Sequence, residues 1–162
     1  MFCSLQSFSQ TLKENKIDEF TKDTIKRTSW KSLRENMFET YYFRISKINN
    51  SYYFGLKIML NNTVFSIDKE NELAFKLEND SIITLNNLQY KITSYGDGAI
   101  SPAGSASLGI HVEYAGLNKI LIDTLKKHKV VKIRIYFIDK YKEVDINDKH
   151  AQFIINALNL IK

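Results

Sequence analysis

The chain has 162 residues, 44% hydrophobic and 12% aromatic, with a single proline; that excludes an intrinsically disordered chain and suits one domain with a real core. A net charge of +5 and a pI near 9.1 permit attraction to a polyanion without requiring one. Cys3 is the only cysteine, which excludes an internal disulfide and a cysteine-based zinc site, and no apolar run reaches the ~18 residues of a transmembrane helix.

Leu5, Phe8 and Leu12 are spaced as one helical face and predict a short N-terminal helix. Residues 16–28 fit a strand or a loop. Trp30, Leu33 and Met37 again share a helical face with Ser29 as N-cap, a strand being the alternative. The period then changes to two. Tyr41, Phe43 and Ile45 alternate with polar neighbours, and Tyr52, Phe54, Leu56, Ile58 and Leu60 form one strand face after a turn at Asn49-Asn50-Ser51. Further short strands follow at 64–67, 73–78, 81–85 and 88–92. Turns at Asn61-Asn62, Asn79-Asp80 and Asn86-Asn87 separate them, because asparagine accepts the left-handed conformation and bonds its own backbone.

Four of the six glycines and the only proline fall between Ser94 and Gly109, where Asp97 is the sole charge. Such a cluster marks irregular backbone and predicts a surface loop. Beyond it, Ile110, Val112 and Tyr114 share a strand face opposite His111 and Glu113. Leu117, Leu121 and Leu125, with Ile120 and Thr124, predict a helix. Strands follow at Val130–Ile138 and Tyr141–Ile146. Asn147 then caps a last helix that buries Ala151, Ile154, Ile155, Leu158 and Ile161, with Asp148 favourable in its first turn.

These elements predict an α+β domain spanning 1–162, with a helical or mixed segment at 1–38, a β-meander at 40–93, a glycine-rich loop at 94–109 and a strand-helix-hairpin-helix unit at 110–162. About seven to nine strands form a mainly antiparallel twisted sheet or a partly closed barrel, with the C-terminal helix packed on it.

Motif readings of the glycine loop fail on particular residues. Gly104 and Gly109 have the spacing of a phosphate loop, but Ile110 and His111 stand where Lys and Ser/Thr are needed. Gly96 and Gly98 begin a dinucleotide fingerprint whose third glycine is Ser101, followed by Pro102. Ser107 lacks the preceding glycine of a nucleophile elbow. The sequons at Asn49, Asn61 and Asn79 read as chance matches in an asparagine-rich chain.

Three functions are weighed. The leading one is a non-catalytic protein-binding module of inhibitor or immunity type, without cofactor or metal. It would contact its partner through Tyr95, Asp97, Ile100, Pro102 and Leu108 of the loop and through Tyr42 and Tyr53, whose adjacent aromatic pairs put rings on both sheet faces. The second is a nucleic-acid or nucleotide binder using Lys126, Lys127, Lys129, Lys132 and Arg134. Against it, Lys126 and Lys127 end a predicted helix, where cations offset the dipole. A hairpin closed by Asp139-Lys140 would also set Tyr136 opposite Glu143, Arg134 opposite Asp145 and Lys132 opposite Asn147. The third is a small hydrolase using His111 and Glu113 with a loop serine. Abundant Asn, Lys, Ile and Tyr suggest an AT-rich bacterial or phage genome. The start Met-Phe-Cys-Ser-Leu-Gln has no basic or apolar signal region, so a cytoplasmic location is expected, in a bacterium or an infected host cell. A processed lipoprotein is the alternative that the Cys-Ser start permits.

Overall fold

The computed structural model describes residues 10–60, 63–100 and 106–161. Its strands are β1 (Leu12–Ile17), β2 (Thr24–Thr28), β3 (Lys31–Glu35), β4 (Glu39–Ile48), β5 (Ser51–Leu60), β6 (Ser66–Ile67), β7 (Glu72–Leu77), β8 (Ile82–Asn87), β9 (Lys91–Ile92), β10 (Ser94–Ile100), β11 (Ala106–Leu117), β12 (Val130–Tyr136) and β13 (Tyr141–Asp145). Helix α1 (Lys119–Lys127) precedes the last hairpin, and α2 (Asp148–Leu160) follows it. The fold is α+β, and the sheet is antiparallel and open.

Among the described residues, eleven strands form the main sheet, more than the periodicity predicts, in the order β1-β2-β4-β5-β11-β8-β7-β12-β13. The long strand β4 takes β3 against its first half and β2 against its second half. Strand β11 likewise takes β10 at its start and β8 near its end. A separate ribbon pairs β6 with β9.

Alternation decides which face is buried. Tyr41, Phe43 and Ile45 of β4, Phe54, Leu56 and Ile58 of β5, Ile110, Val112 and Tyr114 of β11, and Leu73, Phe75 and Leu77 of β7 all face one core. Ile122 and Leu125 of α1 and Ala151, Ile154, Ala157 and Leu158 of α2 close that core. Phe43 stacks on Phe54 at 5.6 Å, and Phe54 meets Phe75 edge-on at 5.0 Å. Each helix starts on an asparagine whose side chain accepts from the third residue on: Asn118 from Leu121 N and Asn147 from His150 N, both at 3.0 Å. Lys126 and Lys127 lie in the last turn of α1, which His128 closes by donating its N–H to Thr124 O at 2.9 Å.

Four local expectations change. First, Leu12 lies in a strand, not a helix, while Leu5 and Phe8 lie outside the described residues. Trp30, Leu33 and Met37 do not form a helical face either: Leu33 is buried in β3 while Met37 is 86% exposed. The unpaired edge of the long β4 recruits β2 and β3 in succession, and that ladder overrides the local helical spacing.

Second, α1 buries Ile122 and Leu125, leaves Ile120 exposed, and begins after Leu117, which belongs to β11. Third, the last hairpin pairs Lys132 with Asp145, Ile133 with Val144 and Arg134 with Glu143. That is two residues from the predicted register. Phe137 N–H donates to Lys140 O at 2.8 Å, so the two-residue turn is Ile138-Asp139, one position earlier than Asp139-Lys140, and Phe137 packs onto Phe65 at 5.0 Å. A shift of two keeps each side chain on its face.

Fourth, much of the glycine-rich segment is paired strand: Ser94 faces Gly109, Tyr95 faces Leu108 and Ile100 faces Ala106. The positive φ of Gly96, 93°, allows the irregularity that follows Tyr95. Pro102 and Gly104 lie outside the described residues.

Candidate functional site

The face of the sheet opposite the helices carries two cross-strand rows. Tyr42, Lys57 and His111 form one, and Arg44, Gly55 and Glu113 form the other. Gly55 has no side chain, and the space above it is taken. A Cβ there would meet Arg44 Cγ at 3.0 Å and the Trp30 ring at 3.4 Å. Trp30 sits in the link between β2 and β3, both held against β4, so its indole lies over this face. Arg44 Cζ lies 4.6 Å and Lys57 Nζ 4.8 Å from the ring centroid, which gives the indole two cation–π contacts.

His111 meets the same indole edge-on at 5.1 Å. Arg44 Nη2 binds Glu113 Oε1 at 2.7 Å, and His111 Nε2 lies 3.8 Å from that oxygen. His111 Nε2 and Arg44 Nε are buried and have no hydrogen-bond partner among the described residues. Burial, and then the Arg44 guanidinium, push the His111 imidazole down to about 4, against the pull of Glu113. The ring is therefore neutral at pH 7. Burial and Arg44 likewise lower the Lys57 ammonium, while Asp97 opposes both shifts. The β10 irregularity thus brings Asp97 within electrostatic reach of the cluster.

A gap opens beside His111. Strand β11 is paired with β5 along Ile110–Tyr114, but on its other side β10 ends at Gly109 and β8 begins at Tyr114. A cleft of about 200 Å³ occupies the gap, lined by Tyr53, Asn87, Leu88, Gln89, Lys91, His111, Val112 and Glu113. Asn87 fixes its far wall by donating Nδ2 to Asp68 O at 2.8 Å and to Gln89 O at 2.6 Å.

Next to the cleft is an exposed apolar stripe. In the β6–β9 ribbon Ser66 faces Ile92, while Phe65 and Thr93, one residue away on each strand, are buried. Alternation therefore turns Val64, Tyr90 and Ile92 outward on one side. These three are more than half exposed, as are Leu88 at the cleft rim and Tyr95 at the start of β10.

Of the sequence-predicted contact residues, Tyr42, Tyr53 and Asp97 converge on the His111 face, and Tyr53 lines the cleft itself. The Tyr42 hydroxyl is held above its ordinary range by burial and then by the Glu35 carboxylate. Tyr95 is 79% exposed opposite the half-buried Leu108. Ile100 is placed by its backbone alone, opposite Ala106.

The cations of the nucleic-acid reading are largely paired. Lys129 binds Asp148 at 2.9 Å, Lys132 binds Glu143 at 2.9 Å, and Arg134 binds the same Glu143 from Nε at 2.9 Å while its guanidinium lies over Tyr141 at 4.6 Å. Among the described residues, no group of three or more His, Cys, Asp or Glu could hold a metal ion, and no helix is long and apolar enough to cross a membrane.

Sequence reading missed Trp30, Arg44, Lys57 and Lys91 as site residues, and with them the stripe. The available signal was Gly55, the one glycine inside the meander. A glycine within a strand marks close approach of another group. Compared with protein-family models, with curated proteins and with solved structures, the chain matches none.

Proposed function

We propose that the chain is a non-catalytic protein-binding module, of inhibitor or immunity type, which engages its partner through the apolar stripe and the adjoining β10–β11 hairpin. The observation that carries this reading is the exposure of Val64, Tyr90 and Ile92 on the outward side of the β6–β9 ribbon and the residues leading into it, with Leu88 and Tyr95, also more than half exposed, flanking them in the chain. Exposed apolar side chains grouped on one side of a ribbon are typical of a contact surface. Tyrosines at its edge add large contact area at small entropy cost.

The competing chemistries are weaker. A histidine that protonates only near pH 4 is a poor general base at neutral pH. The Glu113 carboxylate beside it is occupied by Arg44. Ion pairing of Lys129, Lys132 and Arg134 offsets three of the five cations that a phosphate backbone would use. The test is capture of a partner by the immobilised protein, followed by hydrogen–deuterium exchange of the complex. Protection at 64–67 and 88–95 supports the reading, and protection confined to other surfaces overturns it.

A further inference from the structure

We infer that the cleft between β10 and β8 is a binding site for a small molecule bearing an oxyanion, a carboxylate or a phosphate, held by Lys91, His111 and the open edge of β11. This does not rest on the protein-binding reading.

The first argument is the backbone. Along Ile110–Glu113, β11 has a ladder partner on one side only among the described residues. In an antiparallel pair, every second residue turns its N–H and C=O away from its partner. Those of Ile110–Glu113 that turn away from β5 face the gap. Backbone N–H groups set in a concave edge are anion donors, and their burial without a partner is costly.

The second argument is charge. Lys91 lines the cleft, is half-buried, and forms no ion pair among the described residues. Glu113, the only acidic group on the wall among the described residues, is bound by Arg44 at 2.7 Å, so its charge is offset from behind. The free charge facing the cleft is therefore positive. Lys57, directly across the ladder from His111, adds to that potential.

The third argument is hydrogen bonding. His111 lines the cleft, and its Nε2, closed to solvent, has no hydrogen-bond partner among the described residues, so the ring keeps an unused polar group beside the cleft. Tyr53 and, from the far wall, Gln89 supply further polar groups to the cleft. An oxyanion would take the ammonium of Lys91 and one or more N–H donors together, and each bond would be charge-assisted. The volume, about 200 Å³, suits a fragment-sized ligand rather than a nucleotide or a peptide.

The test uses two probes, inorganic phosphate and succinate, each titrated at constant ionic strength into the full chain. Amide shifts by NMR and the fluorescence of Trp30, the only tryptophan, are the readouts. Saturable shifts clustered at 88–91 and 110–113 are expected with at least one probe, and which probe binds tighter identifies the class of oxyanion. Lys91→Met should weaken that binding by about tenfold, the loss of one charge-assisted contact. Lys127→Met removes the same charge from the last turn of α1 and should leave it unchanged. No saturable response to either probe overturns the assignment. So does an equal loss in both variants, which would mean net charge alone attracts the anion.

Discussion

The imidazole of His111 meets the indole of Trp30 edge-on, with ring centroids 5.1 Å apart and planes at 83°. The contact joins β11 to the β2–β3 link across the face that the core does not use. Arg44, Lys57, Asp97 and Glu113 are the charged groups facing this imidazole. The contact therefore couples the stability of the fold to the charge state of one ring.

The direction of that coupling follows from the shift. The folded ring titrates near 4 and the unfolded ring near 6.5. Between these values the unfolded chain holds a proton that the folded chain refuses. Stability is therefore fully present above about pH 6.5 and is lost as the pH falls toward 4. The loss is up to about 3 kcal/mol, reduced by the partial exposure of the ring. Urea midpoints measured across this window should fall more steeply for the native chain than for His111→Gln. Equal slopes would contradict the assignment.

Gly55→Ala tests the packing above the sheet. Ordinarily alanine improves on glycine in a strand. Here the new methyl would press on Arg44 Cγ at 3.0 Å and on the Trp30 ring at 3.4 Å. A destabilisation of about 1–3 kcal/mol is expected, together with a change in Trp30 emission, read in one denaturation series. An increase in stability would show that the Arg44–Trp30 stack gives way freely.

Two substitutions calibrate the core and its closing helix. Phe54 is 1% exposed and packs between Phe43 and Phe75, so Phe54→Ala should cost about 3–5 kcal/mol. Asn147 caps α2 through His150 N, so Asn147→Ala should cost about 1 kcal/mol. Equilibrium unfolding followed by circular dichroism measures both. A Phe54 loss no larger than the cap loss would be inconsistent with the core described above.

Legibility in the sequence followed the length of each periodic signal. The α+β class, the alternating faces of β4, β5 and β7, the Asn147 cap and the buried side of α2 can be read directly, because period and capping chemistry are local. The strands before Glu39 could not be read that way. Strand β2 is held by the far half of β4, β1 by β2 in turn, and β3 folds back onto the first half of β4, so each is decided by its partner and not by its own spacing. The register of the last hairpin failed because turns at Asp139-Lys140 and at Ile138-Asp139 both keep every side chain on its face, so alternation does not choose between them. The candidate site was half legible. His111 and Glu113 stand out as an alternating polar pair, and Tyr53 as a surplus aromatic. Arg44, Trp30 and Lys91 reach the same face only through the order of β2, β4, β5 and β11 and the gap left beside β11.

The protein-binding reading makes its sharpest commitment at Tyr90 and Ile92. Calorimetric titration of the captured partner into the native chain and into Tyr90→Ser/Ile92→Ser measures it directly. Both side chains are more than half exposed, so the variant should unfold at nearly the native midpoint. It should bind at least about tenfold more weakly, as expected when central apolar anchors are removed. Unchanged affinity in the folded variant would contradict the proposal that this stripe is the contact surface.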